Sequence, residues 1–423
     1  MTAQTDSAQA DTFVRDRLPR ADQLPQLRFD RPELQIPAQV NLVDVLFRRA
    51  QAGDHSDRAL LRSSRVTLTY AEAHQRVNRI AQWLIQDHAL VPGNRVLLRG
   101  GNSVGLALAW LAVVKAGLIA VATMPLLRAK ELSDIINKAQ PALAICDVTL
   151  RDELDLALQG QPSQAAVPVL VYGNAGDPQD LGVLCAGKGG DFHACSTVAT
   201  DIALLAFTSG TTGKPKAAVH THRDVLAACE TWPRHVLQAT PDDIVMGSPP
   251  LAFTFGLGGL LIFPMWAGAS VYFADVAYAP QSMAKLIHDV GATICYTAPT
   301  FYRQMAPHMK AVIAEHGHTP LRICVSAGEG LPDATRTLWR EATGIEMLDG
   351  IGATEMFHIF ISSAGSEIRR GAIGKVVPGY TARVVDDNGV EVPRGMVGQL
   401  AVVGPTGCKY MDDARQTNYV KNG

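Results

Sequence analysis

The chain has 423 residues, of which 47% are hydrophobic and 18% charged, and its formal net charge is −2. Such a chain can bury a large core, and its length predicts two to four packed subdomains. Acidic and basic residues are mixed along the sequence, which excludes a basic surface for nucleic acid. The seven cysteines include no CxxC pair, so neither a zinc site nor a disulfide framework is indicated, and we expect a cytoplasmic protein.

Two segments in the N-terminal third of the chain decide whether the sequence indicates export or membrane insertion. Residues 1–30 are polar, lack the apolar stretch of a signal peptide, and are predicted to form a tail or an arm. Residues 103–124 are apolar and long enough to span a bilayer. Lys115 interrupts this stretch, however, and a buried helix capped by Ser103 and followed by a strand at 118–122 fits it better. We therefore predict a chain without a membrane segment.

Helical and strand patterns alternate through most of the chain. Thr69 and Glu72 have the spacing of a capping box, which opens an amphipathic helix through Leu84. Runs of Val, Ile, Leu and Ala typical of buried strands follow at 143–146, 167–171, 203–207, 269–273, 293–296 and 323–326. This alternation predicts an α/β fold with mostly parallel sheets.

From about residue 371 the sequence is rich in short strands and turns. Runs at 381–385 and 399–403, with a turn sequence at 387–389, predict hairpins of a small β-barrel. The predicted organisation is therefore an N-terminal tail or arm, two layered α/β subdomains and a β-rich subdomain. Their predicted bounds are 1–30, 31–200, 201–370 and 371–423.

The strongest chemical signal directly follows the predicted strand 203–207. It is the run Thr208, Ser209, Gly210, Thr211, Thr212, Gly213, Lys214, Pro215 and Lys216. The glycines let the backbone turn its N–H groups toward an anion, the hydroxyls can bond phosphate oxygens, and the lysines offset their charge. Only two residues separate the glycines, which distinguishes the run from the P-loop of kinases and GTPases. The run predicts another kind of phosphate loop.

Two shorter blocks come later in the chain. The first consists of Ser326, Ala327, Gly328, Glu329, Gly330, Leu331 and Pro332. The second consists of Asp349, Gly350, Ile351, Gly352, Ala353, Thr354 and Glu355. Taken alone, each is an ordinary glycine-rich turn, and their value lies in their order and spacing relative to the phosphate loop.

In this order, the three blocks resemble the superfamily that contains acyl-CoA synthetases, peptide-synthetase adenylation domains and firefly luciferase. One departure is Ala217, where a glycine is usual. The resemblance implies that ATP or AMP is bound by residues 208–214 together with Glu329, Gly330, Asp349, Gly350, Ile351, Gly352 and Thr354. It implies catalytic roles for Thr208, Lys216, Thr354 and Glu355. Thr354 would bond the α-phosphate, and Glu355 would hold Mg²⁺.

Ile351 narrows the resemblance to one branch, because much of the superfamily has tyrosine at this position. The runs 349–360 and 248–259 resemble the benzoate-type ligases, and most of all the 2-aminobenzoate–CoA ligases. The resemblance covers roughly residue 42 onward. It implies an aromatic-acid pocket formed by Phe253, Thr254, Phe255, Ala327, Gly328, Gly352, His358 and Ile359.

Structural roles compete with these assignments at several positions. Phe253 and Phe255 also suit plain core packing, and His358 also suits a buried histidine bonded to the backbone. His220 and His222 follow the phosphate loop closely and are treated as structural residues.

The implied reaction joins a benzoate-like acid, best matched by 2-aminobenzoate, to AMP and then transfers the acyl group to coenzyme A. ATP, Mg²⁺ and coenzyme A as co-substrate would take part, without a nucleic acid or membrane partner, and a homodimer is left open. The superfamily's ribose-binding aspartate and mobile C-terminal domain would follow Gly423, so we expect the large domain only, with impaired turnover. Two alternatives remain, a domain that loads a carrier protein and a non-catalytic fragment that binds aryl-adenylates.

Overall fold

The computed structural model describes residues 6–160, 167–208, 214–274 and 278–423. In these ranges the strands are β1 (Ala59–Arg62), β2 (Thr67–Thr69), β3 (Arg95–Arg99), β4 (Ile119–Thr123), β5 (Leu143–Asp147), β6 (Val169–Tyr172), β7 (Ile202–Thr208), β8 (Lys216–Thr221), β9 (Ile244–Gly247), β10 (Ser270–Tyr272), β11 (Ile294–Thr297), β12 (Ile323–Ser326), β13 (Leu348–Gly352), β14 (Ile359–Ser362), β15 (Lys375–Val376), β16 (Thr381–Val385) and β17 (Gln399–Val403). The α-helices are α1 (Leu42–Ala52), α2 (Tyr70–Gln86), α3 (Val104–Lys115), α4 (Ala129–Ala139), α5 (Arg151–Gln159), α6 (Leu181–Ala186), α7 (His222–Cys229), α8 (Thr254–Leu257), α9 (Phe263–Ala267), α10 (Pro280–Val290), α11 (Pro299–His316), α12 (Asp333–Thr343) and α13 (Gln416–Tyr419).

Two large sheets and one small sheet make up the strand framework. The first sheet has the order β6-β5-β3-β4-β7-β8 and is parallel apart from the hairpin β7–β8. The second has the order β15-β14-β13-β12-β11-β9-β10-β1-β2 and is parallel apart from β2, β14 and β15. β16 and β17 form a separate antiparallel pair. The predicted α/β fold with mostly parallel sheets is confirmed.

The chain passes between the two large sheets more than once. Strands β1 and β2 join the second sheet beside β10, although they come before every strand of the first sheet. Strands β7 and β8 complete the first sheet, although they follow residue 200. Sheet membership therefore does not follow the order of the strands along the chain. One buried apolar cluster contains residues of both sheets, such as Leu98 and Val245, so the two layers share a core.

Helix α3 accounts for the long apolar stretch at 103–124. The Ser103 hydroxyl accepts a hydrogen bond from the backbone N–H of Leu106 at 3.2 Å, as expected of an N-cap. The helix is apolar on all sides because α1, α2, β3 and β4 pack around it. Across the described ranges, no helix combines the length and the apolar character that crossing a membrane requires.

The N-terminal segment packs against the first sheet as an arm. Asp11 forms an ion pair with Arg95, the first residue of β3, and Val14 is buried in the apolar cluster on one side of this sheet. The Arg95 guanidinium also donates a hydrogen bond to the Ala139 carbonyl at 2.9 Å. These contacts tie the arm to the end of α4.

The C-terminal segment contains the antiparallel unit that was predicted as a small barrel. In the described chain this unit consists of the two strands β16 and β17, while β15 extends the second large sheet. The turn predicted at 387–389 is present, since the Gly389 N–H donates to the Asp386 carbonyl at 3.0 Å.

Beyond β17 the chain returns to the first sheet. The Val219 N–H donates to the Lys409 carbonyl at 2.8 Å, and the Met411 N–H donates to the Ala217 carbonyl at 2.9 Å. Residues 409–411 therefore lie alongside β8 and beside the hairpin that carries the predicted phosphate loop.

Candidate active site

The hairpin β7–β8 carries the two ends of the predicted phosphate loop. Thr208 ends β7 and is paired in register with Lys216, which begins β8. The Thr208 hydroxyl is buried and has no hydrogen-bond partner among the described residues, a condition that a ligand or water usually relieves. Lys214 is exposed, and its carbonyl accepts a hydrogen bond from Arg415 at 3.3 Å. The remaining predicted loop residues lie outside the described ranges: Ser209, Gly210, Thr211, Thr212 and Gly213.

Lys216 lies in a charged and aromatic cluster. Its ammonium group donates hydrogen bonds to the hydroxyls of Tyr410 at 2.8 Å and Tyr419 at 2.9 Å. The ammonium nitrogen is also 3.6 Å from a carboxylate oxygen of Glu355. The Tyr410 hydroxyl in turn donates to the same carboxylate. Two residues predicted to be catalytic, Lys216 and Glu355, are thus brought together.

The proton of the Tyr410 hydroxyl is held firmly. Burial raises the pKa of Tyr410 well above its ordinary range, and the neighbouring Glu355 carboxylate raises it further. The hydroxyl is therefore a hydrogen-bond donor to Glu355 at neutral pH. Because Lys216 faces the same carboxylate, the negative charge of Glu355 is compensated within the protein.

The turn that carries Thr354 and Glu355 is held through one carbonyl group. This turn is a short 3-10 helix, Thr354–Met356, which follows β13. The Thr354 carbonyl accepts hydrogen bonds from the Phe357 N–H at 3.0 Å and from the ring Nε2 of His220 at 2.7 Å. Phe357 has a φ of 70°, which is unfavourable for a bulky residue. Strain of this kind persists only where the surrounding contacts enforce it, and it is frequent at functional sites.

A cavity of about 250 Å³ adjoins this turn. All eight residues predicted for the acyl pocket line it: Phe253, Thr254, Phe255, Ala327, Gly328, Gly352, His358 and Ile359. Ala353, Thr354 and Phe357 complete the lining. The volume lies below the roughly 300–1,000 Å³ that drug-sized ligands occupy, so the cavity suits a small molecule.

Neighbouring strands of the second sheet bring these residues together. Ala327 and Gly328 follow β12, and Gly352 ends the parallel strand β13. In α/β sheets, ligands bind at the carboxyl ends of parallel strands, which is where these residues lie. A side chain at Gly352 would be crowded, because a Cβ there would lie 3.0 Å from the His358 carbonyl group.

His358 is packed among aromatic rings. The ring centroids of Phe255, Phe263 and Trp232 lie 5.4, 4.6 and 5.2 Å from that of His358. Its Nε2–H group donates to the Phe255 carbonyl at 3.3 Å. Burial lowers the pKa of His358 to about 3, so the ring is neutral and Nδ1 carries a lone pair. Nδ1 is buried without a partner in the described part of the chain, and the His358 side chain is part of the cavity lining.

Two of the residues predicted to bind the nucleotide lie in an exposed loop outside the cavity lining. Glu329 and Gly330 are exposed in the loop after β12. The Glu329 carboxylate accepts hydrogen bonds from the Thr300 N–H at 2.9 Å and the Thr300 hydroxyl at 2.6 Å. This carboxylate is thereby fixed at the first turn of α11.

The predicted residues of β13 have mainly internal contacts. The Asp349 carboxylate is buried 3.9 Å from the Arg336 guanidinium, and burial raises its pKa. Gly350 allows close packing, since a Cβ there would lie 2.7 Å from the Ile359 side chain. Ile351 packs against the core and is paired in register with a residue of β14. The structure does not bring Asp349, Gly350 or Ile351 into the cavity lining.

A second cavity of about 250 Å³ shares Phe253 with the first. Its lining includes Thr208 at the end of β7, Met124 after β4 and Ile135 of α4. It therefore lies at the carboxyl ends of the parallel strands β4 and β7. Phe253 is thus part of the lining of both cavities.

Sequence reasoning missed Tyr410, Tyr419 and Trp232. The two tyrosines lie 194 and 203 positions from Lys216; Tyr410 reaches it because 409–411 pair with β8, and Tyr419 reaches it from α13. No short-range pattern carries that information. Trp232 follows α7 as an isolated aromatic residue, a pattern that is usual for core packing.

Comparison with known proteins decides the family. The family model described as "AMP-binding enzyme" matches residues 47–409. The chain belongs to this family. Among its relatives, a benzoate–CoA ligase of Thauera aromatica is 31% identical over 380 residues, which cover 89% of this chain and 70% of the relative. A p-hydroxybenzoic acid–AMP ligase of Mycobacterium tuberculosis is 31% identical over 366 residues, covering 86% of this chain and 49% of the relative.

Solved structures of this family include close matches to the fold. The crystal structure of an anthranilate CoA ligase in complex with anthranoyl-AMP has a TM-score of 0.84 and 30% identity, covering 92% of this chain and 74% of the other. The match confirms the fold of the large N-terminal domain of adenylate-forming enzymes. With the benzoate–CoA ligase, it places the chain in the benzoate/aryl-CoA ligase branch. The chain spans about half the length of the mycobacterial relative.

Proposed function

We propose that this protein activates an aromatic carboxylic acid by joining it to the AMP part of ATP. The observation that carries the proposal is the cavity of about 250 Å³, which has Phe253, Phe255 and His358 in its wall and Thr354 at its edge. The aromatic residues offer flat apolar contacts for a ring. The adjoining turn offers polar groups for the carboxylate and the phosphate.

In the proposed reaction the substrate carboxylate attacks the α-phosphorus of ATP. A new oxygen–phosphorus bond forms, the bond to pyrophosphate breaks, and aryl-AMP remains. The carboxylate is ionised at neutral pH, so this step needs no general base. The site contributes by positioning the reactants and by neutralising charge. We assign these roles to Thr208, Lys216 and Thr354.

Glu355 is the residue that would hold Mg²⁺. Proteins commonly bind Mg²⁺ through one or two carboxylates, with phosphate oxygens and waters as the other ligands. The partly exposed Glu355 carboxylate, next to Thr354, fits this pattern. The described ranges contain no group of three or more metal-ligating side chains, so the nucleotide would supply most of the remaining ligands. Bound Mg²⁺ would neutralise negative charge on the phosphates.

Among aromatic acids we favour 2-aminobenzoate. Nδ1 of His358 is a buried acceptor without a protein partner in the described chain, and leaving such a group unbonded costs about 1–3 kcal/mol. A ring substituent that reached Nδ1 and donated a hydrogen bond would relieve this cost, whereas plain benzoate has no such donor. The similarity to an anthranilate CoA ligase structure supports the same choice.

Coenzyme A is the proposed acceptor of the acyl group. Its thiol sulfur attacks the carbonyl carbon of aryl-AMP, the thioester forms, the thiol proton passes to solvent, and AMP leaves. The second cavity, which reaches Thr208 from beyond Phe253, offers an apolar approach for a flexible thiol-bearing arm. The similarity to a p-hydroxybenzoic acid–AMP ligase favours a second candidate, an enzyme that uses another acceptor, such as a carrier protein.

All seven cysteines are free, which agrees with the proposed cytoplasmic location.

The test is ATP–pyrophosphate exchange with 2-aminobenzoate, benzoate and palmitate. We expect slow but measurable exchange with both aromatic acids, the higher kcat/KM with 2-aminobenzoate, and none with palmitate, which would overfill the cavity. His358→Phe should remove the preference for 2-aminobenzoate while retaining exchange with benzoate. His316→Phe, at the exposed end of α11, is the matched control and should retain the preference. Exchange with palmitate alone would refute the proposal, and product analysis with each acceptor separates the two candidates.

A further inference from the structure

His220 forms a hydrogen bond with the turn that carries Thr354 in the proposed nucleotide site. It lies in β8 with a relative exposure of 1%, and its Nε2 is 2.7 Å from the Thr354 carbonyl oxygen. A carbonyl oxygen only accepts hydrogen bonds, so Nε2 carries the proton. Burial lowers the pKa of His220 to about 4, so the ring is neutral. Nδ1 is left as a lone pair without a partner among the described residues.

Three charged groups face this ring. The carboxylates of Asp224 and Glu355 favour a protonated ring, the Lys409 ammonium disfavours it, and burial outweighs them. Asp224 is itself buried and accepts a hydrogen bond from Lys409, so its charge is paired. The surroundings therefore keep His220 as a neutral donor with one defined tautomer.

The hydrogen bond from His220 acts on a strained turn. The Phe357 ring packs edge-on against the His220 ring, with centroids 5.4 Å apart and an interplanar angle of 80°. Phe357 is the residue with a φ of 70°, and its N–H shares the Thr354 carbonyl with His220. His220 thus fixes both the carbonyl that begins the turn and the ring that ends it.

His222, two residues further on, has a different role. It is equally buried, and burial lowers its pKa to about 4. Its Nδ1 accepts a hydrogen bond from the Leu42 N–H at 3.0 Å, which fastens the start of α1. His222 makes no contact with the turn at Thr354 that the structure records, so it serves as an internal control for loss of a buried histidine.

We propose that His220 is a positioning residue for adenylation. By donating from Nε2 to the Thr354 carbonyl, it fixes the orientation in which the Thr354 side chain meets the α-phosphate. This inference rests on the proposed function, because Thr354 matters only if the nucleotide binds there. It departs from the expectation that His220 is merely structural.

Two substitutions separate the hydrogen bond from the ring packing. His220→Phe keeps a ring against Phe357 but removes the donor, whereas His220→Gln places an amide N–H near the position of Nε2. We expect His220→Phe to lower kcat for pyrophosphate exchange on the order of 100-fold with little change in KM for the aromatic acid. His220→Gln should recover most of kcat. His222→Asn, whose amide oxygen can still accept from Leu42, should retain kcat.

Nitrogen-15 NMR of histidine-labelled protein gives a readout independent of activity. It should show a protonated Nε2 and a bare Nδ1 for His220 between pH 6 and 8, assigned by the signal that His220→Gln removes. A protonated Nδ1, or a normal kcat in His220→Phe, would overturn the inference and leave the proposed function standing. An equal loss of kcat in His222→Asn would also overturn it. Wild-type protein that shows no exchange on any aromatic acid and is not stabilised by a 2-aminobenzoyl-AMP analogue would instead remove the proposed function itself.

Discussion

The hydroxyl of Tyr410 donates a hydrogen bond to the carboxylate of Glu355. It joins a segment near the C-terminal end to the turn after β13, and the same hydroxyl accepts a hydrogen bond from Lys216 at 2.8 Å. A second link comes from the Thr406 hydroxyl, which donates to the Met356 carbonyl at 2.9 Å. The segment that returns to β8 therefore forms hydrogen bonds with Lys216 and with the turn that carries Glu355, two residues predicted to be catalytic.

Tyr410→Phe tests the stabilising part of this arrangement. The side chain is fully buried, and removing its hydroxyl leaves Glu355 and Lys216 each short of one partner. We expect the free energy of unfolding to fall by about 1–3 kcal/mol in urea denaturation. Tyr419→Phe is the control, because Tyr419 also bonds Lys216 but is 52% exposed, so water can replace its hydroxyl. Equal losses in both variants would contradict the prediction.

Glu355→Gln tests the proposed metal ligand. An amide keeps the size of the side chain and its contact with Tyr410 but loses the charge that would bind Mg²⁺. We expect Mg²⁺-dependent pyrophosphate exchange to fall by about 10²–10³-fold, with the far-ultraviolet circular dichroism spectrum unchanged. Glu367→Gln, at an exposed ion pair with Lys375, should behave like wild type. Near-normal exchange by the Glu355 variant would remove Glu355 from the metal site.

Three buried histidines predict how stability depends on pH. The pKa values of His220, His222 and His358 are lowered to about 4, 4 and 3, while in the unfolded chain each is about 6.5. Below pH 6.5 the unfolded state therefore binds more protons, and stability is lost as the pH falls toward 4. Each such proton contributes a slope approaching about 1.4 kcal/mol per pH unit.

Urea denaturation at pH 7.5, 6.0 and 5.0 measures this slope. His222→Asn should lower it by about one proton's contribution, because the asparagine amide oxygen can still accept from Leu42 without titrating. The buried carboxylate of Asp224 has a lowered pKa and adds its own loss only at more acidic pH. A free energy of unfolding that stays constant from pH 7.5 to 5.0 would contradict the assignment of these rings as neutral in the fold.

Local signals in the sequence predict much of the fold, because they report on neighbouring residues. The Thr69–Glu72 capping box and the Ser103 cap are both present, and the apolar run after Ser103 is the buried helix α3. Contacts between distant parts of the chain are not available from such signals. The pairing of β1 with β10 and the return of 409–411 to β8 depend on which edges meet after the core has formed.

The residues of the candidate site also fall into those that the sequence indicated and those that depend on contacts between distant parts of the chain. The eight pocket residues were predicted through a family resemblance, and the structure places them around one cavity, although their role in binding stays a prediction. Glu329 and Asp349 came from the same resemblance, and their carboxylates face Thr300 and Arg336, so their role in nucleotide binding also stays a prediction. Tyr410 was missed because its contact with Glu355 spans 55 residues and no periodic pattern marks it.

The last prediction concerns binding of the reaction intermediate by this 423-residue chain. The aryl cavity and the Thr354 turn adjoin, so a stable analogue of 2-aminobenzoyl-AMP should contact both at once. A ligand that binds only the folded state stabilises it by about 2.7 kcal/mol at a concentration 100 times its Kd. We therefore expect a clear rise in Tm with the analogue and a smaller one with AMP alone.

Ala327→Leu is the discriminating variant for this prediction. Ala327 is buried in the cavity wall, and a leucine there would fill part of the space of about 250 Å³ that the aryl ring needs. The variant should keep the response to AMP and lose the additional response to the analogue. If the analogue raised Tm equally in both proteins, the aryl group would bind elsewhere and the cavity would not be the acyl site. If it raised Tm in neither, the assignment of this chain as an aryl-adenylate binder would be wrong. The folded chain contains both the cavity and the Thr354 turn, so a ligand that binds them must stabilise it.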